Sequence, residues 1–290
     1  MASHADARFH RGRWLLRIED LDPPRESKAA AAGIPVVLER YGFEWDGPIL
    51  YQSTRGDAYA AALDSLIGRG LAFECSCTRS DVAGAPIGAG GERIYPGTCR
   101  NGIPVDGRVH QPNHLAWRLR VDGVDGVDRV GAGTGVIEFV DRIQGRQQQR
   151  LASDVGDFVI RRADGFWAYQ LAVVDDDRDQ GVTDSVRGAD LLASTPRQIL
   201  LQRYLGAIEP RYAHVPLAVN QSGEKLSKQT LAVALPATDP VPVLLAAWRF
   251  LEQAEPQTRP ADAREFWSWA IARWDIGRID PRARPAPTPV

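Results

Sequence analysis

The feature that most constrains this chain is a short, mostly apolar run, Trp14 to Ile18, that stops on an acidic turn, Glu19-Asp20-Leu21-Asp22-Pro23-Pro24. The run reads as a strand, and the prolines end regular structure directly after it. Helical segments flank it: Ala2 to Phe9 reads as the end of one helix, and Glu26 to Tyr41 as another that Pro35 would kink. A further helix is predicted at Asp57 to Gly68, where Tyr59, Ala62, Leu63 and Leu66 fall at helical spacing. Apolar strands alternating with helices predict a parallel α/β unit.

The rest of the chain extends that pattern. Ala116 to Val121 alternates like a half-buried strand, and Phe158 to Arg161 reads as another. Leu171 to Val174, ahead of three aspartates, has the look of a buried parallel strand. Thr195 to Leu205 reads as a helix, with Thr195 as N-cap and Pro196 at the first helical position. Val241 to Leu251 and Ala263 to Arg273 read as two C-terminal helices. Ala83 to Gly91 is Gly- and Ala-rich and reads as a loop, and the Pro-rich tail from Pro281 as disordered.

Composition narrows the classes. A length of 290 residues fits one large domain with attachments, or two domains. A net charge of −2 neither demands nor excludes a nucleic-acid partner, because such binding needs a local basic face. No stretch approaches the roughly 20 apolar residues of a membrane span. Met1 to Arg13 carries His4, Asp6, Arg8, His10 and Arg11, unlike a signal peptide, so the cytoplasm is the expected compartment. With three cysteines, two separated by a single residue, a disulfide framework is not expected.

The chemistry-bearing motifs come in a fixed order. Lys225-Leu226-Ser227-Lys228-Gln229 follows Ser222-Gly223, and two lysines flanking a serine can clamp a polyphosphate as pyrophosphate leaves. Taken alone, that tetrapeptide reads as a solvated basic loop. Upstream stand Arg17-Ile18-Glu19-Asp20-Leu21-Asp22, Tyr169-Gln170-Leu171-Ala172-Val173-Val174-Asp175-Asp176 and Arg187-Gly188-Ala189-Asp190-Leu191-Leu192. Thr195-Pro196-Arg197-Gln198-Ile199 and His214-Val215-Pro216-Leu217 complete the set. In this order, from about Ala2 to about Leu251, they resemble the catalytic domain of the class I glutamyl- and glutaminyl-tRNA synthetases.

The resemblance implies a Rossmann-type fold with ligands at the carboxyl ends of its parallel strands. It implies that Glu19 binds the amino group of glutamate and that Tyr169 and Arg187 are further amino-acid contacts. An arginine fork suits a carboxylate because it bonds both oxygens. Without the resemblance, Glu19 and Arg187 would read as salt-bridge partners and Tyr169 as a core aromatic. Lys228 matches the family's ATP-phosphate lysine, and Lys225 with Lys228 forms the catalytic pair; His214 reads as structural or ATP-adjacent.

A second signal is Cys75-Ser76-Cys77, then Tyr95, then Cys99. Three thiolates with a fourth donor can form a tetrahedral zinc site, although Cys-x-Cys and a phenol ligand are both uncommon. Three reduced structural thiols are the alternative. The short glutamyl-Q tRNA(Asp) synthetases carry the same set, which implies one structural Zn2+ on Cys75, Cys77, Tyr95 and Cys99. The Gly/Ala-rich connection between the two halves looks expanded, at little cost in closure entropy.

Only Thr230 to Val290 follows the lysine loop, too little for a helical anticodon-binding domain, which again points to the glutamyl-Q group. The expected division is 1–70 for the first part of the Rossmann-type domain and 71–120 for the zinc insertion. Residues 121–235 would form its second part, 236–280 a C-terminal helical segment and 281–290 a disordered tail. The implied activity is tRNA-independent activation of L-glutamate with ATP and Mg2+, then glutamyl transfer to queuosine in the anticodon of tRNA(Asp), by a monomer. A truncated glutamyl-tRNA synthetase and a non-catalytic RNA-binding derivative are the alternatives.

The family's opening strand and its His-containing, Gly-rich phosphate turn have no counterpart here; Met1 aligns in the helix after them, and His4 and His10 are not substitutes. Either the start is placed too far downstream or the chain is an inactive truncated copy, and the retained glutamate-side residues favour the first. A parallel sheet without that strand would expose two edges, so lower stability and more aggregation are expected than for a longer form.

Overall fold

The computed structural model describes residues 1–22, 28–88, 91, 93–104, 115–121, 136–220, 222–226, 235–236, 238–282 and 284–285. Helix α1 (Ala2–Phe9) leads to β1 (Arg17–Ile18), α2 (Lys28–Arg40), β2 (Leu50–Tyr51), α3 (Gly56–Gly68) and β3 (Ala72–Cys75). Then come β4 (Ala116–Leu119), β5 (Val136–Asp141), β6 (Gly145–Arg150), α4 (Leu151–Asp154) and β7 (Phe158–Arg161). The chain continues through α5 (Tyr169–Gln180), β8 (Asp184–Gly188), α6 (Thr195–Leu205), β9 (Arg211–Val215) and β10 (Ala218–Val219). It closes with α7 (Val241–Phe250), α8 (Ala263–Ile271) and β11 (Arg284–Pro285). None of the helices described is long and apolar enough to cross a membrane.

The strands fall into separate sheets. One has the order β6-β5-β9-β8, in which β9 runs parallel to both β5 and β8 while β5 and β6 form an antiparallel hairpin. A parallel pair joins β1 to β2, and β3-β4-β7 is antiparallel. The run expected as a strand from Trp14 is paired only at Arg17 and Ile18, although the Trp14 and Leu16 carbonyls accept from the Asp46 and Leu50 amides.

Two large cores hold most of these pieces, beside a small cluster of Phe73, Cys75, Tyr95 and Cys99. The first gathers Tyr59 and Leu66 of α3, Leu119, Ile160, Leu171 of α5, and Ile199 and Leu201 of α6. The second joins Ala2 and Ala5 of α1 to Trp248 of α7, Phe266 and Trp267 of α8, and Trp274. His4 belongs there, its ring 4.4 Å from Trp267 and 5.0 Å from Trp14 between centroids. Burial, with Arg8 adding, pushes its imidazole down to about 3, so it packs as a neutral ring.

Three expectations need correction. Leu171 to Val174 is not a strand but the buried body of α5. Every residue from Leu171 to Asp176 is buried because α3, α6 and β7 enclose the helix, so no polar stripe reveals its period. Its aspartates are helix residues: Asp176 accepts from Gln52 (2.8 Å), Tyr59 (2.9 Å) and Arg55 (3.0 Å). Gly181, at φ 64°, ends the helix in the left-handed conformation. Thr195 is the first residue of α6 rather than its cap, and its hydroxyl serves Arg187 instead. Within the tail, Arg284–Pro285 pairs in parallel with Ala218–Val219, whereas 286–290 lies outside the described residues.

Candidate functional site

A cavity of about 600 Å³ opens between α1, the end of β1, the start of α5 and β8. Glu19, Tyr169 and Arg187 all line it, with Arg17 and Asp177 between them. Each comes from a place the fold dictates: Glu19 follows β1, Tyr169 opens α5, and Arg187 lies near the end of β8. Arg17 bridges β1 and α5, with Nη1 2.8 Å from Asp177 and Nη2 3.5 Å from Glu19. Crowding by protein raises the Glu19 carboxyl above its ordinary range, and Arg17 opposes that shift.

Arg187 differs from the other arginines here. Its Nε donates to His214 Nε2 at 3.1 Å and its Nη2 to Thr195 Oγ1 at 2.8 Å. It makes no ion pair with a carboxylate among the described residues. Its guanidinium carbon stands 5.4 Å from the centre of the Tyr212 ring. A cation held along one edge by a ring nitrogen and a hydroxyl leaves Nη1 for an anionic ligand in the cavity.

Behind Arg187 lies a buried chain of hydrogen bonds. His214 is its register partner on the neighbouring parallel strand, and neighbours in register project to the same face. His214 Nδ1 is 2.6 Å from Asp141 Oδ2, and both side chains are fully buried. Asp141 Oδ1 accepts three backbone amides, from Gln144 (2.8 Å), Ile143 (2.9 Å) and His214 (3.1 Å). Burial works to raise the Asp141 carboxyl, but the His214 ring and those amides overcome it and hold it at about 2.

Of the lysine loop, Lys225 is described and Lys228 is not. Lys225 Nζ lies 2.5 Å from Asp190 Oδ2, and its side chain is 53% exposed.

The cysteines of the insertion converge. Their three Sγ atoms lie within 4.8 Å of one another, and the Cys77 and Cys99 sulfurs are 3.6 Å apart. The Tyr95 hydroxyl is 3.3 Å from Cys75 Sγ and 3.7 Å from Cys77 Sγ. Four donors around a tetrahedral zinc would be separated by edges of about 3.5–3.8 Å, so this donor set fits that ion. Burial pushes the Cys77 thiol up to about 12; Tyr95 opposes this, and Cys75 and Cys99 add to it. Arg118 supplies the opposite charge, with Nε 3.2 Å from Cys75 Sγ and its guanidinium carbon 3.9 Å from the Tyr95 ring centre.

Residues 1–85 and 128–239 match the catalytic domain of the class I tRNA synthetases of the E and Q type. The chain is also 49% identical over 290 residues to a glutamyl-Q tRNA(Asp) synthetase of Aromatoleum aromaticum, spanning 100% of itself and 86% of that protein. The chain belongs to the class I glutamyl- and glutaminyl-tRNA synthetase family. A second member, the glutamyl-Q tRNA(Asp) synthetase of Chromobacterium violaceum, is 50% identical over 282 residues, 96% of this chain and 88% of that one. The fold of this synthetase-family chain is like that of a glutamate tRNA ligase from Elizabethkingia meningosepticum, with a TM-score of 0.73 at 21% identity. That likeness covers 98% of this chain and 62% of the ligase.

Against this family background, the structure brings Glu19, Tyr169 and Arg187 to one cavity and Cys75, Cys77, Tyr95 and Cys99 to one cluster. Sequence reasoning missed Asp141, Thr195 and Arg118 as partners of these groups. For Asp141 the one available signal was its place before the turn Arg142-Ile143-Gln144-Gly145, where a carboxylate commonly caps amides.

Proposed function

We propose that this protein activates L-glutamate with ATP, without tRNA, and passes the glutamyl group to queuosine in the anticodon of tRNA(Asp). The observation that carries this reading is the cavity in which an acid, a phenol and an arginine without a carboxylate partner among the described residues converge. Glutamate has one ammonium and two carboxylates, and such a cavity offers Glu19 to the first and Arg187 to a carboxylate. The names of the relatives supply queuosine and tRNA(Asp).

In the first step a glutamate carboxylate oxygen attacks the α-phosphorus of ATP. The bond to the bridging oxygen breaks and pyrophosphate leaves; Mg2+, bound with ATP, would offset the phosphate charge. In the second, a hydroxyl of the queuosine ring attacks the acyl carbon of the mixed anhydride, the bond from that carbon to the phosphate oxygen breaks, AMP leaves, and the hydroxyl proton passes to the departing phosphate or to water. No protein nucleophile is required, so the residues act by placement and by charge. Lys225 and Lys228 are assigned to the polyphosphate, with Lys225 exchanging Asp190 for it. Cys75, Cys77, Cys99 and Tyr95 would hold one Zn2+, which fixes the insertion and takes no part in either step. Residues 71–120 act as that insertion within a catalytic unit of 1–70 and 121–235, and 236–280 as a helical buttress.

Glutamate-dependent ATP–pyrophosphate exchange without tRNA tests the first step. Transfer of labelled glutamate to tRNA(Asp) with and without queuosine, and to tRNA(Glu), tests the second. Exchange followed by transfer to the queuosine form alone is expected. Charging of tRNA(Glu) would overturn the assignment in favour of an ordinary glutamyl-tRNA synthetase, and no exchange in favour of a non-catalytic derivative.

A further inference from the structure

We infer that Asp141 and His214 are positioning residues that brace Arg187 from behind and turn it into a fixed carboxylate reader. The inference deepens the reading above and rests on it for the identity of the ligand. It begins with protons. An arginine Nε always carries hydrogen, so His214 Nε2, 3.1 Å from it, must accept. A neutral imidazole that accepts at Nε2 carries its proton at Nδ1, where Asp141 Oδ2 receives it at 2.6 Å. Thr195 Oγ1 accepts from Arg187 Nη2 at 2.8 Å and can turn its own proton to the Leu191 carbonyl at 3.3 Å or to His214 Nε2 at 3.2 Å, where again the ring nitrogen accepts. Asp141 thus sets the tautomer, the tautomer makes Nε2 an acceptor, and the acceptor fixes the Arg187 plane. The chain crosses β5, β9 and β8 in the order in which those strands lie, so the sheet itself is its scaffold.

A brace made of a carboxylate in direct contact with Arg187 would neutralise the cation and compete with the substrate. An imidazole between them transmits orientation while leaving the guanidinium without an ion-pair partner among the described residues. A purely structural bond between β5 and β9 would not require Nε2 to face Arg187.

The two carboxylate oxygens make the test clean. Among the described residues, Oδ1 holds the three backbone amides and Oδ2 holds only the ring. Asp141→Asn can keep the amides on its carbonyl oxygen while its NH2 faces Nδ1. The ring must then accept at Nδ1 and carry hydrogen at Nε2, against the hydrogen on Arg187 Nε. We expect the KM for glutamate to rise about 10–100-fold, as for one lost charge-assisted hydrogen bond. The KM for ATP should stay within about twofold. His214→Gln, whose side-chain oxygen can accept from Arg187, should retain more glutamate affinity than His214→Leu at similar melting temperature.

The tautomer is read separately, by 15N NMR of the ring, with the His214→Gln protein providing the assignment. Nδ1–H in the parent and Nε2–H in Asp141→Asn are expected. Nε2–H in the parent would overturn the inference. So would equal shifts in both KM values, or a lower melting point with neither KM changed. If the parent shows no glutamate-dependent exchange, the proposed function fails and the carboxylate reader fails with it, while the NMR result still decides whether Asp141 sets the tautomer.

Discussion

Asp6 on α1 and Trp274 beyond α8 stand 268 residues apart in sequence and share a 2.9 Å hydrogen bond in the second core. Arg142, in the β5–β6 turn, adds a two-pronged contact to the same carboxylate at 2.6 and 2.9 Å. One nearly buried side chain therefore ties three distant segments together. Replacing Asp6 by Ala would strand a mostly buried guanidinium and an indole N–H, at a cost of about 3 kcal/mol. Urea unfolding of Asp6→Ala checks this, and a loss below about 1 kcal/mol would show that Arg142 finds adequate solvent or Asp184 instead.

Asp175 should destabilise the protein at neutral pH. Burial pushes its carboxyl up to about 6; Arg178 and Arg55 oppose this, and Asp179 and Asp176 reinforce it. The folded state then holds a proton up to about 6 that the unfolded chain releases near 3.8. Folded molecules bind more protons in that window, so stability falls as pH rises through it. Asp175→Asn should flatten that slope and stabilise the fold at pH 7 by up to about 3 kcal/mol. Asp141 acts in the opposite sense: its carboxyl is lowered to about 2, so its contribution is lost only as pH falls below the unfolded value of 3.8. Parallel stability–pH curves for parent and Asp175→Asn would contradict the prediction.

Arg118 should tune the metal cluster without touching the ion. With the proposed zinc bound, three thiolates around a divalent cation would leave one negative charge, which Arg118, 3.2 Å from Cys75 Sγ, would offset. Arg118→Met should weaken zinc binding about 10–100-fold, measured by competition with a coloured chelator. Unchanged affinity would mean that the cluster's charge is balanced elsewhere.

Gly156 should matter to the same cluster through shape alone. It sits at φ 71°, and a Cβ there would lie 2.8 Å from both the backbone N and O of Tyr95. Gly156→Ala therefore strains the glycine and displaces the Tyr95 backbone. Zinc content per chain, measured by elemental analysis, should fall in Gly156→Ala although every cysteine remains. Full occupancy would show that Tyr95 is dispensable as a donor.

What could be read from sequence followed from how local each signal is. Helices α3, α7 and α8 show one buried face and were legible from spacing. Helix α5 was not, because protein surrounds it and its apolar run has no polar face to set the period. The cysteine set was legible because its members lie close in sequence, whereas Arg118 comes to it from a different strand. Glu19 and Arg187 could be named as site candidates only through the order of the motifs. The brace behind Arg187 depends on β9 lying between β5 and β8, and Asp141 is 73 residues from His214. Spacing along one chain does not encode that sheet order.

The second core, drawn from both ends of the sequence, also has a timetable. Ala2 and Ala5 share a core with Trp248, Phe266 and Trp274, so α1 leaves the ribosome long before these C-terminal partners exist. At about 5–20 residues per second, the 268 residues from Asp6 to Trp274 take roughly 15–50 s to synthesise. Throughout that interval α1 has Trp14 and Phe43 beside His4 but lacks the cover that Trp248, Phe266 and Trp274 later supply. The last helix thus finishes the structure by enclosing the first.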